Sequence, residues 1–182
     1  LDDDLVFYRR NSPADPHTPR RASPEDVGDL LDLMAETLGT YAHAGIATRA
    51  FSNGFPHAYK EGARAIQAQF FRRDALERYG VRFNGIPHME DLWVTLSLLR
   101  EGAPNYITFE WLLAEKHGSD APGGVPSETR VEREWQAGRG LVEEFGEYVQ
   151  VYNREAGSMA GRPGVRVSWK KLNQRAGRGF FN

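Results

Sequence analysis

Residues 86–105 constrain this chain more than any other stretch. Glu90 and Asp91 open a run in which Leu92, Trp93, Leu96, Leu98 and Leu99 read as an apolar helix; Gly102 stops it and Pro104 forbids its continuation. A helix carrying that many large apolar side chains belongs in an interior, so the remaining elements have to fold around it. The acidic pair at its start has two readings. Carboxylates in a first turn interact favourably with the helix dipole and accept from free N–H groups. A carboxylate fixed on the end of a buried helix is also a well-aimed general base or polar anchor. The pair alone leaves both open.

A chain of 182 residues can close one core, and with 40% hydrophobic and 12% aromatic residues it is expected to be folded and not disordered. There is no Cys, which excludes a disulfide scaffold and a thiolate metal site and fits a reducing compartment, here the cytoplasm. No apolar run approaches the roughly 20 residues that span a bilayer, and no signal peptide is visible, so no membrane partner is expected. The formal charge of −2 is uninformative, but its distribution is not. After Glu155 the chain has no acidic residue and carries Arg162, Arg166, Lys170, Lys171, Arg175 and Arg178, a basic segment over 162–182 on an otherwise acidic body. The chain starts with Leu and reads at once as the middle of something, so more sequence is expected before Leu1.

Taken in order, Asp2, Asp3 and Asp4 precede a short β-prone run at 5–8. Adjacent carboxylates repel one another unless a cation neutralises them, and a hard divalent ion such as Mg²⁺ or Mn²⁺ takes oxygen ligands of this kind; a solvated acidic segment is the plain alternative. Residues 11–22 are Pro-rich and aperiodic, which predicts a loop, with His17 in solvent. Ser23 as N-cap, Pro24 at the first helical position and Asp26 three residues after the cap start a helix that Gly39 ends, its stripe of Val27, Leu30, Leu31, Met34 and Leu38 being core. Residues 41–48 predict a buried strand. Arg49 follows it, an ordinary surface Arg or a fork for a phosphate, and residues 50–62 make a long aromatic loop that suits a substrate-facing role.

A second strand is expected at 64–71, a short helix at 73–79 and a strongly β-prone strand at 105–113. A long helix at 129–145 is weakened by Gly138 and Gly140. Strands at 148–152 and 165–171 close the chain, the latter alternating Val165, Val167 and Trp169 against Arg166, Ser168 and Lys170. Interleaved strands and helices predict an α/β layered fold without internal repeats.

Three features remain: the acidic cluster before the first strand, Glu90 and Asp91 at a helix start, and His117 just after a strand. In this order the chain resembles the catalytic half of nucleotide-sugar-dependent glycosyltransferases of the GT-A fold. It is similar, more narrowly, to the TET/JBP-associated glycosyltransferases, largely phage proteins linked to sugar addition on hydroxymethylated pyrimidines in DNA. The residues that carry this are Asp2 to Tyr8, Tyr41 to Ile46 with Arg49, Met89 to Asp91, Gly102 to Asn105, the Pro122-Gly123-Gly124 turn and Trp169-Lys170-Lys171.

The resemblance implies a GT-A-like layered mixed sheet flanked by helices. Residues 1–182 would form the catalytic, acceptor-side part of one such domain, without its nucleotide-binding first half. It implies a metal-dependent hexosyltransferase taking a nucleotide sugar, a UDP-sugar above all, to a hydroxyl such as that of 5-hydroxymethylcytosine in DNA, in the host cytoplasm for a phage protein. Asp2, Asp4 and His117 would hold Mn²⁺ or Mg²⁺. Asp2, Asp3 and Arg49 would face the donor diphosphate, Asp91 would be the base and Glu90 its neighbour in the acidic pair. Arg166, Lys170, Lys171 and Arg175 would supply cations to DNA phosphates. Two other classes use the same residues: a two-metal phosphodiesterase or nucleotidyltransferase built on Asp2, Asp4 and Asp91, and a non-catalytic DNA-binding module.

Overall fold

Chain order alternates strands and helices from the first described residue onward. A computed structural model describes residues 5–12, 15–52, 55–115, 127–157 and 160–175. Strand β1 (Leu5–Ser12) turns back into β2 (Asp15–Arg21), antiparallel, with Arg10 opposite Pro19. The Pro-rich stretch expected to be a loop is therefore largely a strand. It is an outer strand, where a Pro without an N–H removes little from the ladder.

Helix α1 (Pro24–Thr37) begins with the expected capping box: Asp26 N–H donates to Ser23 Oγ at 3.2 Å and Ser23 N–H donates to Asp26 Oδ2 at 2.9 Å. Asp26 also accepts from Arg9 and Arg20, which ties the hairpin to the helix. Strand β3 (His43–Thr48) leads directly into a short helix, α2 (Arg49–Ser52). Two brief strands follow, β4 (Tyr59–Glu61) and β5 (Gln69–Phe71), then α3 (Arg73–Arg78). The strand expected at 64–71 is confined to its last three residues. Before them the chain is not extended in a ladder, and Ala65 instead packs on the face of the sheet with Ala47, Ile107 and Leu112.

Helix α4 (Glu90–Arg100) and strand β6 (Asn105–Glu115) form the centre. β6 lies parallel to β3 on one side and antiparallel to β1 and β4 on the other, giving a mixed sheet in the order β2-β1-β6-β3-β5. A Cβ on Gly45, in the middle of β3, would stand 2.3 Å from the Ala65 Cβ, so glycine is what lets the 62–68 segment lie against the sheet.

The rest of the chain is α5 (Ser127–Phe145), the hairpin of β7 (Val149–Asn153) with β8 (Pro163–Val167), and α6 (Trp169–Arg175). The strand expected at 165–171 stops at Val167. The Ser168 carbonyl accepts from Leu172 N–H at 3.1 Å, so Trp169, Lys170 and Lys171 are helical.

α4 is buried along seven of its residues, Leu92 and Val94 to Leu99. Leu92, Leu96 and Leu99 meet Leu141, Phe145 and Leu172, while Val94 and Leu98 meet Ala42 and Ala75. Each fully buried Leu contributes about 1.5–3 kcal/mol, which is why the stretch with the most large apolar residues becomes the interior helix. The two glycines of α5 have packing roles. A Cβ on Gly138 would meet Val151 at 3.2 Å, and one on Gly140 would meet Ile86 Cγ2 at 3.0 Å.

Candidate functional site

Asp91 sits in the first turn of α4 with its side chain only 12% exposed. Arg64 holds it: Nε lies 2.8 Å and Nη2 2.7 Å from the same oxygen, Oδ2. Burial pushes the Asp91 carboxyl above its ordinary range. The Arg64 guanidinium and the Leu92 N–H pull the other way, and neighbouring Glu90 adds to the rise. Asp91's own carbonyl accepts from Thr95 Oγ1 at 2.8 Å, which fixes the turn beneath it. Glu90 is exposed.

The residue before the pair is unusual. Met89 is the N-cap of α4 and has φ 63°, ψ 31°, left-handed. Its carbonyl takes the N–H groups of Leu92 and Trp93, both at 3.0 Å. A residue with a side chain in this conformation is held there by its surroundings.

The 62–68 segment links Asp91 to one end of the sheet. Three residues after Arg64, the Gln67 side-chain amide donates to the Glu115 carboxylate. Glu115 ends β6 and is the register partner of Leu5, which begins β1. The segment's other end is pinned by Asn105, whose Oδ1 accepts from Gly62 N–H at 2.8 Å and whose Nδ2 donates to the Ala63 carbonyl at 2.6 Å. One loop thus joins the candidate base to the carboxyl end of a central strand. In open α/β sheets that end is where ligands bind.

Arg49 lies at the carboxyl end of the neighbouring parallel strand, immediately after Thr48. Its guanidinium stacks 4.2 Å over the Tyr8 ring, and among the described residues no carboxylate pairs with it. Beside it, buried Arg10 donates to the carbonyls of Phe55 at 2.8 Å, Ser52 at 3.0 Å and His57 at 3.4 Å. The aromatic loop expected to face substrate is therefore tethered from β1.

Asp2, Asp3, Asp4, His117 and the Pro122 to Gly124 turn lie outside the described residues. Among the described residues no group of three or more His, Asp or Glu could hold a metal ion. The basic segment is folded where it is described. Arg162 pairs with Glu134, Arg166 stacks 5.6 Å over Tyr152, and Lys171 donates to the Glu147 carbonyl at 3.1 Å. Lys170 is exposed on α6 and Arg175 is that helix's last residue. No hydrogen bond or ion pair among the described residues joins these cations to Asp91 or to Arg49.

Sequence reasoning missed Arg64, which it placed in a strand, and Glu134, whose side chain is 5% exposed beneath Arg162, Arg130 and His88. The signal for Glu134 was weak, one of five glutamates in an amphipathic helix. It also missed a cavity of about 270 Å³ along α4, lined by Tyr79, Arg82, Trp93, Ser97, Arg100 and Glu144 among others. Asp91 does not line that cavity.

Compared with known proteins, the chain matches no family, no curated protein and no solved structure. No helix among the described residues is long and apolar enough to cross a membrane. The fold is a mixed sheet flanked by helices.

Proposed function

We propose that this chain is a metal-dependent glycosyltransferase that moves a sugar from a nucleotide sugar, foremost a UDP-sugar, to a hydroxymethylated pyrimidine in DNA. The observation that carries the reading is Asp91: a buried carboxylate with a raised proton affinity, held by Arg64 through Oδ2 alone. In this reading Oδ1 accepts the proton of the acceptor hydroxyl. The acceptor oxygen bonds to the anomeric carbon as the bond from that carbon to the diphosphate oxygen breaks, the electron pair leaving with the diphosphate. A base on the acceptor side implies inversion at the anomeric carbon.

In this reading Arg49 takes a phosphate, which its position at a strand carboxyl end, without a carboxylate partner among the described residues, supports. The reading assigns Asp2, Asp4 and His117 as ligands, residue types that Mn²⁺ or Mg²⁺ would accept. The reading assigns Asp3 to the donor and Glu90, next in sequence to Asp91, to the acidic pair. Such an ion supplies charge stabilisation to the departing diphosphate. Arg166, Lys170, Lys171 and Arg175 meet DNA phosphates, which makes binding salt-dependent.

The test incubates the protein with Mn²⁺, a panel of UDP-sugars and hydroxymethylcytosine-containing DNA, and follows UDP release and DNA mass. The expected result is UDP release with a hexose added to the DNA, lost in Asp4→Ala and in Asp91→Asn. Nicked DNA without sugar transfer, or intact DNA and no UDP from any donor, would sink the reading.

A further inference from the structure

We propose that Glu134 and His88 are positioning residues for Asp91: helix α5 holds shut the left-handed turn at Met89 that aims the base. The proposal rests on the reading of Asp91 as that base.

Met89 is the one non-glycine residue with positive φ among the described residues, at 63°. A side chain disfavours this conformation, so something must hold it. On the chain's downstream side the holder is Arg64, through Asp91 Oδ2. On the upstream side it is α5, by two contacts. Ile86 fits against Gly140, where a Cβ would come within 3.0 Å of its Cγ2. His88 Nε2 lies 3.6 Å from Glu134 Oε1. Met89 itself packs against the cluster of Leu92, Leu141 and Phe145.

Glu134 is a firm anchor. It is buried, and it accepts from Arg162 Nε at 2.7 Å and from Arg130 Nε at 3.3 Å. Burial opposes its charge, but Arg162, His88 and Arg130 outweigh burial and hold the carboxyl below its usual range. The turn is therefore flanked downstream by the Arg64–Asp91 ion pair and upstream by the contact of His88 with Glu134, which reach different elements. Releasing the upstream grip lets Met89 leave the left-handed region. The first turn of α4 then rotates and Asp91 no longer meets Arg64.

Glycine adopts this conformation without a holder, which gives a rescue experiment. The side chain of His88 is 39% exposed, so His88→Ala keeps the fold even where Glu134→Gln, which removes the buried charge that Arg130 and Arg162 face, does not. The Asp91 carboxyl is titrated by ¹³C NMR in the wild type, His88→Ala, Glu134→Gln and His88→Ala combined with Met89→Gly. UDP release is measured on the same proteins. The expected result is a displaced Asp91 titration and a kcat reduced roughly tenfold with donor KM unchanged in the single variants, both restored toward wild type by Met89→Gly. An Asp91 titration and a kcat identical in His88→Ala and wild type, or a loss that Met89→Gly leaves untouched, would overturn the proposal. No UDP release from the wild type sinks the glycosyl-transfer reading, and the carboxyl titration still decides the grip by itself.

Discussion

Arg64 directs both Nε and Nη2 at one oxygen of Asp91, and no other side chain among the described residues donates to that carboxylate. A carboxylate held this way keeps more proton affinity than a solvated one, because burial outweighs the Arg64 pairing.

This sets the shape of the pH profile. Only the ionised carboxylate accepts a proton, so transfer is expected to fall as pH drops through the Asp91 midpoint. That midpoint lies above the ordinary Asp value of about 3.9. Asp91→Asn should lower kcat by a factor on the order of 10² to 10⁴ and abolish that acid limb. An acid limb that survives in Asp91→Asn would assign it to another group. The check is a kcat profile against pH for both proteins.

His43 gives a second, independent pH effect, on stability. It is fully buried and stacked 4.5 Å from Phe71, with Gln69 as its polar neighbour. Burial pushes its pKa down to about 3, with Gln69 opposing. The unfolded chain takes up this proton near pH 6.5 and the folded chain only near 3. Stability is therefore complete above the higher value and is lost progressively as pH falls between the two. His43→Phe should flatten that part of the curve in urea melts from pH 7 to 4. An unchanged slope would count against His43.

Arg10 is expected to matter for stability more than an arginine at an edge-side strand normally does. Arg10→Met leaves three carbonyls of the 52–57 loop without their donor and should cost roughly 2–4 kcal/mol in urea denaturation. A loss below about 1 kcal/mol would mean that water replaces the guanidinium there.

Gly45→Ala sets a methyl against the Ala65 Cβ at 2.3 Å, and neither group can rotate away. The expected loss is about 3 kcal/mol. Because Ala65 adjoins Arg64, the Asp91 carboxyl should also shift its titration, which ¹³C NMR reads directly.

The sequence was most legible where short-range chemistry decided the outcome. Ser23 and Asp26 announced α1, and Gly102 and Pro104 closed α4, because caps and breakers act within a few residues. The β-rich run at 105–113 was equally plain. Tertiary placement hid the rest. Pro16 and Pro19 spoke against a strand, but an outer position removed the objection. Alternation at 165–171 looked like one strand, and the helical bond from Leu172 to Ser168 ended it at Val167. Gly138 and Gly140 read as weak points of α5, although their value is in Val151 and Ile86. Asp91 was visible as a candidate from its place at a helix start. Arg64, its partner, stands 27 residues away and outside any motif, and nothing local marks such a pair.

The hairpin at the start of the chain has a consequence for how copies of this protein behave together. β2 is the outer strand on one side of the sheet, with Pro16 and Pro19 missing from its row of donors and Arg20 and Arg21 adding charge. The opposite margin, β5, is three residues long. Strand addition between molecules needs a long, flat, uncharged row of free N–H and C=O groups. Among the described residues neither margin of this sheet offers one, so the six-stranded sheet should resist adding a strand from another molecule.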